Sequence, residues 1–129
     1  MNWYIAAGGA VGSVTRVMLS ALIQQRAGGE FPLGTLVVNV TGSLLLGFIF
    51  RFSLDTSAVS PEARAFLTAG FCGGYTTFST FSYETVRLME AGDYRRALAY
   101  VVLSVGLSIV GTFAGFAAAR AVLALRQTA

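Results

Sequence analysis

The residues with the clearest chemical potential lie in positions 70–82, where glycines and hydroxyl side chains interrupt an otherwise apolar sequence. Gly73 and Gly74 come shortly before Thr76 and Thr77, a combination that weakens a helix. Backbone groups freed inside a membrane must find partners, and broken membrane helices often present carbonyls to cations or amides to anions. The stretch therefore predicts a broken helix at an ion site. In the alternative interpretation, the glycines form only a packing notch and the threonine hydroxyls bond back along the helix.

Two phenylalanines follow this predicted break. Phe78 and Phe81 are three residues apart, and Ser82 is four from Phe78, so the three side chains share one helix face. Aromatic rings carry a positive edge, and Thr80 adds a hydroxyl nearby. Two ring edges beside hydroxyl donors could hold a small anion without a fixed charge. The alternative is that both rings face lipid or the protein core.

Neutral polar stripes occur on two further apolar segments. An Asn in the middle of a membrane helix is costly unless it finds a partner or lines a cavity. The stripes alternatively serve as contacts between helices, worth about 0.6 kcal/mol per hydrogen bond. Their members are Thr35, Asn39 and Gly42 on one segment, and Tyr100, Ser104 and Ser108 on the other.

Ionisable residues within the apolar segments are few. Arg16 is interpreted as a structural or vestibular residue, because a lone Arg near a helix end can extend toward the interface. Glu84 is interpreted as a partner that positions a helix. The chain has no His, and the first two apolar segments hold no carboxylate, so a proton-coupled carrier would have few groups to use. Passive conduction fits this inventory better than pumping.

Composition supports a membrane protein. Of 129 residues, 55% are hydrophobic and 12% are charged, against roughly 25% charged in a typical soluble domain. This balance excludes disorder, and the single cysteine, Cys72, excludes a disulfide scaffold. The net charge is +3, but the Arg residues are scattered and form no stripe for nucleic acid.

Four stretches are long and apolar enough to span a bilayer. They cover about 3–22, 33–52, 65–89 and 97–125. No basic region precedes the first, so we predict a retained span and not a cleaved signal peptide. The prediction is a single transmembrane domain over 1–129 with an all-α fold.

The Arg residues give little indication of orientation. Because topology follows the Lys/Arg bias between the two sides, a near-even division predicts insertion in both orientations, and hence an antiparallel homodimer. The alternative is that an even count merely predicts topology poorly. The two groups are Arg51, Arg64, Arg120 and Arg126 on one side, and Arg26, Arg87, Arg95 and Arg96 on the other.

The sequence of positions 70–82, with Glu84 following, closely resembles the signature of the Fluc (CrcB) fluoride channels, and the similarity extends over the chain. The resemblance implies four helices per subunit with the third broken in mid-membrane, and an antiparallel, dual-topology homodimer with two pores. It also implies passive export of cytoplasmic fluoride, a structural sodium ion (Na+) at the dimer interface, and a multi-pass location in the cell (inner) membrane. The partners are then fluoride, a second copy and the lipid bilayer, with no nucleic acid.

The resemblance also implies a role for individual positions. The backbone carbonyls of Gly73 and Thr76 would hold the sodium ion, and Arg16 would draw anions toward the vestibule. Tyr75 stands where leucine is common in this motif, and its hydroxyl could lie near the sodium site. The residues that the resemblance places along the ion path are Asn39, Phe78, Phe81, Thr80, Tyr100, Ser104 and Ser108.

Two other membrane functions compete with this interpretation. Small multidrug exporters also have four spans and dual topology, but resemble proton antiporters built on a Glu in the first span, where this chain has Arg16. A membrane adaptor would use its polar stripes only for association. An enzyme is the weakest alternative, because no nucleophile with a base and no metal cluster is visible.

Overall fold

The computed structural model describes residues 1–128, and every regular element in that range is helical. Three long helices account for most of the chain. They are α1 (Asn2–Ala27), α2 (Leu33–Leu54) and α6 (Tyr94–Thr128). A short connection joins α1 to α2, residues 55–93 lie between α2 and α6, and α2 and α6 form the most extensive helix pair.

The third apolar stretch is a chain of short elements. It consists of α3 (Pro61–Ala65), a π-helical segment (Phe66–Cys72), α4 (Gly73–Tyr75) and α5 (Phe78–Glu90). Thr76 and Thr77 have extended backbones, with φ, ψ of −94°, 158° and −153°, 122°. The helix is thus interrupted at the threonines, and Gly73 and Gly74 remain helical before the break.

Close packing explains why position 74 is a glycine. A Cβ atom there would lie 2.5 Å from the Gly9 carbonyl and 2.9 Å from the Ser13 hydroxyl of α1. Gly74 therefore lets α1 approach the helix next to the break. The packing notch and the broken helix, posed as alternatives from the sequence, occur together in adjacent turns.

Glycines also bring α2 and α6 together. A Cβ atom on Gly47 of α2 would lie 2.6 Å from the Thr112 carbonyl, and one on Gly111 of α6 would lie 3.1 Å from the Val40 carbonyl. Gly115, one turn after Gly111, lies closer still to α2, against the Leu44 carbonyl. This contact sets the distance between the two helices that carry the predicted polar stripes.

The surface is apolar along the long helices. Val14 and Met18 of α1 and Val102 and Val110 of α6 are exposed, as expected of helices that face lipid or another subunit. By length and composition, α1, α2 and α6 could each cross a membrane. The chain is an all-α membrane protein.

Candidate ion-binding site at the helix break

A cavity of about 320 Å³ lies between α2, the break, the start of α5 and α6. Five predicted path residues line it: Asn39, Phe78, Phe81, Ser104 and Ser108. Residues 39, 78, 81, 104 and 108 come from three separate helices, so only the fold brings them together. The other lining residues are Gly42, Ser43, Leu46, Thr76, Thr77, Val105 and Ile109.

Asn39 holds the extended backbone of the break. Its Nδ2 donates to the Thr77 carbonyl at 3.0 Å, and its Oδ1 accepts from the Thr77 amide at 2.8 Å. One side-chain amide thus satisfies both polar groups of a residue that has left the helix. This pairing explains how an Asn is accommodated in an apolar helix.

The break leaves two carbonyls without their usual helical donors. In a continuous helix, the Thr77 amide would bond to the Gly73 carbonyl and the Thr80 amide to the Thr76 carbonyl. The Thr77 amide instead bonds to Asn39, and the Thr80 amide bonds to the Thr77 hydroxyl at 3.2 Å. The diverted donors leave the carbonyls of Gly73 and Thr76 available to another partner.

Arg16 donates to the carbonyl of Gly74, which lies between Gly73 and Thr76 in the sequence. Its Nε donates to the Gly74 oxygen at 3.0 Å, across 58 positions of sequence. The guanidinium therefore neutralises part of the negative end of the helix before the break. Arg16 lies at the helix break, beside the predicted sodium ligands.

The donor set suits a hard monovalent cation. No group of three or more His, Cys, Asp or Glu side chains is placed to hold a metal between Met1 and Thr128. A cation site would therefore use neutral oxygens, and the carbonyls of Gly73 and Thr76 provide two at the end of a broken helix, where sodium is bound in other membrane proteins. Gly73 is exposed on the surface of the single chain.

Aromatic rings form a row beside the cavity. The centroids of Phe78 and Phe81 are 5.5 Å apart, and those of Phe81 and Tyr100 are 5.1 Å apart. Phe31 continues the row with its ring at 79° to that of Tyr100 and 5.7 Å from it. Phe78 is 78% exposed and Tyr100 is fully buried, so the row runs from the surface of the chain into its core.

The polar residues of α6 have different environments. The Tyr100 hydroxyl donates to Glu84 Oε1 at 3.2 Å, which joins α6 to α5. Ser104 is 7% exposed, and its hydroxyl has no hydrogen-bond partner among the residues described. Ser108 lines the cavity one turn further along α6. Ser104 therefore offers the cavity a buried hydroxyl that is not used by the protein.

The remaining predicted residues surround the cavity without lining it. Thr80 is bonded to the Thr77 hydroxyl at 3.2 Å, so it supports the break. Tyr100 contacts Phe81, and Glu84 contacts Tyr100. Arg16 reaches the break from α1.

Sequence reasoning used Thr77 only as one of the residues that weaken the helix, and it gave no role to Thr41. Thr77 caps α5 with its side chain and is the backbone partner of Asn39. Thr41 lies 2.9 Å from the Tyr75 hydroxyl, so that hydroxyl contacts α2. The signal for Thr77 was available: it follows the glycine pair in a helix that must end and restart, where a Thr N-cap is favoured.

The cavity offers chemistry suited to a small anion. Its described lining is mainly apolar, with two aromatic rings and no charged side chain. The Asn39 amide and the hydroxyls of Ser43, Thr76 and Thr77 bond within the protein, so the hydroxyls of Ser104 and Ser108 are the donors left for an anion. Neutral donors can replace water around an anion without trapping it as a fixed cation would.

Comparison with known proteins places this chain among membrane transport proteins. Residues 3–116 match the family described as CrcB-like protein, Camphor Resistance (CrcB). The chain is 51% identical over 119 residues to the protein from Rhizobium meliloti (strain 1021) named Fluoride-specific ion channel FluC, covering 92% of this chain and 95% of that protein.

Two other relatives carry the same name. The protein of Geobacter sulfurreducens is 52% identical over 116 residues, covering 90% of this chain and 94% of its own. That of Aquifex aeolicus is 46% identical over 112 residues, covering 87% and 90%. The similarity covers the break, the cavity and most of α6.

Proposed function

The chain belongs to the CrcB-like family, and on that premise we propose that it is a passive, fluoride-selective ion channel. Its relatives named as fluoride-specific channels are similar over nearly their whole length. A channel moves an ion without making or breaking covalent bonds, so the protein is a transporter and not an enzyme.

The observation that carries the proposal is the unpaired hydroxyl of Ser104 in a cavity free of charged lining residues. A buried hydroxyl without a partner costs free energy unless a ligand or water bonds to it. Asn39, Phe78 and Phe81 line the same space. The Asn39 amide is engaged by Thr77, so it shapes the cavity, and the ring edges and serine hydroxyls remain to contact an anion.

Fluoride is the halide that such a site would select. It is small and strongly hydrated, so a narrow site must replace several water hydrogen bonds at short distance. Hydroxyls and ring edges packed within about 320 Å³ can do so. Chloride is larger and more weakly hydrated, but a cavity of about 320 Å³ would admit either halide, so we expect selectivity to arise where a second copy narrows the path.

We also propose a structural sodium ion held by the carbonyls of Gly73 and Thr76. Two features of the break support this: the Thr77 amide bonds to Asn39 and the Thr80 amide bonds to the Thr77 hydroxyl, so neither donor uses these carbonyls. The ion would supply the positive partner that these carbonyls lack, and would tie two copies of the break together.

The working unit would be an antiparallel homodimer in which each chain crosses the membrane four times. One chain leaves Phe78 78% exposed, so a pore lined by this ring needs a second copy to complete its wall. The even distribution of Arg supports insertion in both orientations. Reporters fused to the C-terminus, each active on one side only, should both give signal, and signal from one alone would refute dual topology.

In a cell, we propose that this channel lies in the inner membrane and lets cytoplasmic fluoride leave down its gradient. Fluoride enters cells as the neutral acid and dissociates at the higher internal pH. A passive channel then suffices for export, because the trapped anion is already at higher concentration inside. The lack of membrane carboxylates in α1 and α2 is consistent with conduction without proton coupling.

The test is fluoride efflux from liposomes that contain the purified protein, measured with a fluoride electrode and repeated with chloride. Fast electrogenic fluoride release without chloride release is the expected result. A folded dimer that releases neither ion would refute the channel and favour the adaptor function. Growth of expressing cells in fluoride and in cationic dyes would separate the channel from a multidrug exporter.

A further inference from the structure

We propose that Gln24, near the end of α1, is a positioning residue of the ion path and acts through Phe31. This inference rests on the proposed channel function and extends the path beyond the cavity. Gln24 bonds to the connection between α1 and α2, and this connection positions the Phe31 ring. The Phe31 ring in turn packs against Tyr100 in the aromatic row.

The side chain of Gln24 uses both of its polar atoms on the α1–α2 connection. Nε2 donates to the Phe31 carbonyl at 3.0 Å and lies 3.4 Å from the Gly29 carbonyl. Oε1 accepts from the Gly34 amide at 3.1 Å. A single part-buried amide therefore links α1 to the loop and to the first turn of α2.

Besides Gln24, the connection is held by an exposed ion pair of Glu30 with Arg96 at 3.9 Å, by the Gly28 amide bonded to the Gln24 carbonyl, and by packing of Phe31. Pro32 stands at the N-cap of α2 and makes no side-chain cap, so the first amides of α2 need a partner from elsewhere. Gly28 and Gly29 have φ of 66° and 73°, a conformation that reverses the chain but adds no side-chain contact. Gln24 supplies the missing cap from the preceding helix.

Phe31 links the α1–α2 connection to the aromatic rings beside the cavity. The Phe31 ring meets the Tyr100 ring edge to face at 5.7 Å, and Tyr100 is fully buried. Tyr100 in turn packs on Phe81, which lines the cavity. Because packed rings leave little free space, a displaced Phe31 would loosen the Tyr100 and Phe81 rings together.

Gln24 also lies in a cleft that reaches the hydrogen-bond acceptor of Tyr100. Gln24 and Glu84 line one cleft of about 360 Å³ at the end of the molecule that contains the α1–α2 connection. Glu84 is the hydrogen-bond acceptor of Tyr100. Gln24 therefore bonds to the loop that holds Phe31 and shares a cleft with the residue that accepts from the Tyr100 hydroxyl.

The test compares Gln24→Met with Gln25→Met in full-length protein in liposomes. Methionine keeps length and apolar volume but removes the amide, and Gln25 is the exposed neighbour. We expect Gln24→Met to slow fluoride efflux at least about tenfold, the shift that accompanies loss of one to two ordinary hydrogen bonds. Gln25→Met should match the wild type. Equal rates for the two variants would overturn the proposal.

A coupling measurement separates positioning from general destabilisation. If Gln24 acts through Phe31, the double variant Gln24→Met, Phe31→Leu should conduct no more slowly than the slower single variant. Multiplied losses would overturn the route through Phe31. Should Gln24→Met not yield a folded dimer, Gln24→Glu keeps the acceptor for Gly34 and loses the donor to Phe31, and the same comparison applies.

Hydrogen exchange makes failure of this inference distinguishable from failure of the channel function. In Gln24→Met, the Gly34 amide should exchange at least about tenfold faster than in Gln25→Met, whether or not the protein conducts. Unchanged Gly34 exchange would refute the positioning role. Wild-type protein without fluoride efflux would instead refute the channel, and with it the relevance of Phe31 to an ion path.

Discussion

Replacement of Asn39 by Asp tests the ion path most directly, because it adds one negative charge at an almost unchanged shape. The amide lines the cavity with Phe78 and Phe81. A fixed charge about 4 Å from a permeating anion costs about 4 kcal/mol at an effective dielectric constant of about 20. Since each 1.36 kcal/mol is about tenfold, Asn39→Asp should lower fluoride conduction about a thousandfold at neutral pH.

The same substitution also alters the break. A carboxylate can still accept from the Thr77 amide but cannot donate to the Thr77 carbonyl, which the Asn39 amide reaches at 3.0 Å. Loss of that bond costs about 1–3 kcal/mol of stability. Asn39→Ser removes the amide without adding charge, so it reports the structural part alone.

Liposome efflux measured with a fluoride electrode separates the two effects. Asn39→Asp should be far slower than Asn39→Ser, and both should elute as dimers. Asn2→Asp provides the matched control, because it is the same substitution at an exposed position near the N-terminus. Fluoride flux at the wild-type rate in Asn39→Asp would refute a pathway past this residue, and equal rates for Asp and Ser would refute the electrostatic reasoning.

Three further predictions concern the rings, the glycine contact and the cation. Phe78→Ile and Phe81→Ile should each slow fluoride efflux at least about tenfold while leaving a folded dimer, because they remove the positive ring edge; wild-type flux in either would contradict that role. Gly74→Ala should lower the stability of the fold by about 1–3 kcal/mol through overpacking against Gly9 and Ser13, whereas Gly106→Ala, which has open space around it, should not; thermal unfolding in detergent compares them. Exchange of sodium for a large organic cation should lower the unfolding temperature of the dimer, and an unchanged temperature would count against a structural ion at Gly73 and Thr76.

Much of the fold follows from the order of residues along the chain. A charged content of 12% and long apolar stretches exclude a soluble domain, and they place three helices close to their observed bounds. The small residues at Gly111 and Gly115 indicate close helix packing, and both lie against α2. These features are local, because hydropathy and side-chain size act within a single helix.

The position of the break depended on contacts that no local pattern contains. The glycine pair and threonines predicted an interruption near residues 73–77. Position 74 must be a glycine because α1 packs against it, and the helix ends before Thr77 because Asn39 bonds to the Thr77 amide and carbonyl. That partner lies 38 positions away in the sequence.

The candidate site, like the break, could be predicted only in part from the sequence. Residue type and spacing, with the family resemblance, identified Asn39, Phe78, Phe81, Ser104 and Ser108 as candidates. Neutral donors in apolar helices are costly without a purpose, and aromatic rings carry a positive edge. Only the fold showed that these residues face one cavity, that Arg16 bonds to Gly74 and that Gln24 bonds to the Phe31 carbonyl. Spacing along a helix determines which side chains share a face, whereas meeting a residue of another helix requires the packed arrangement of all of them.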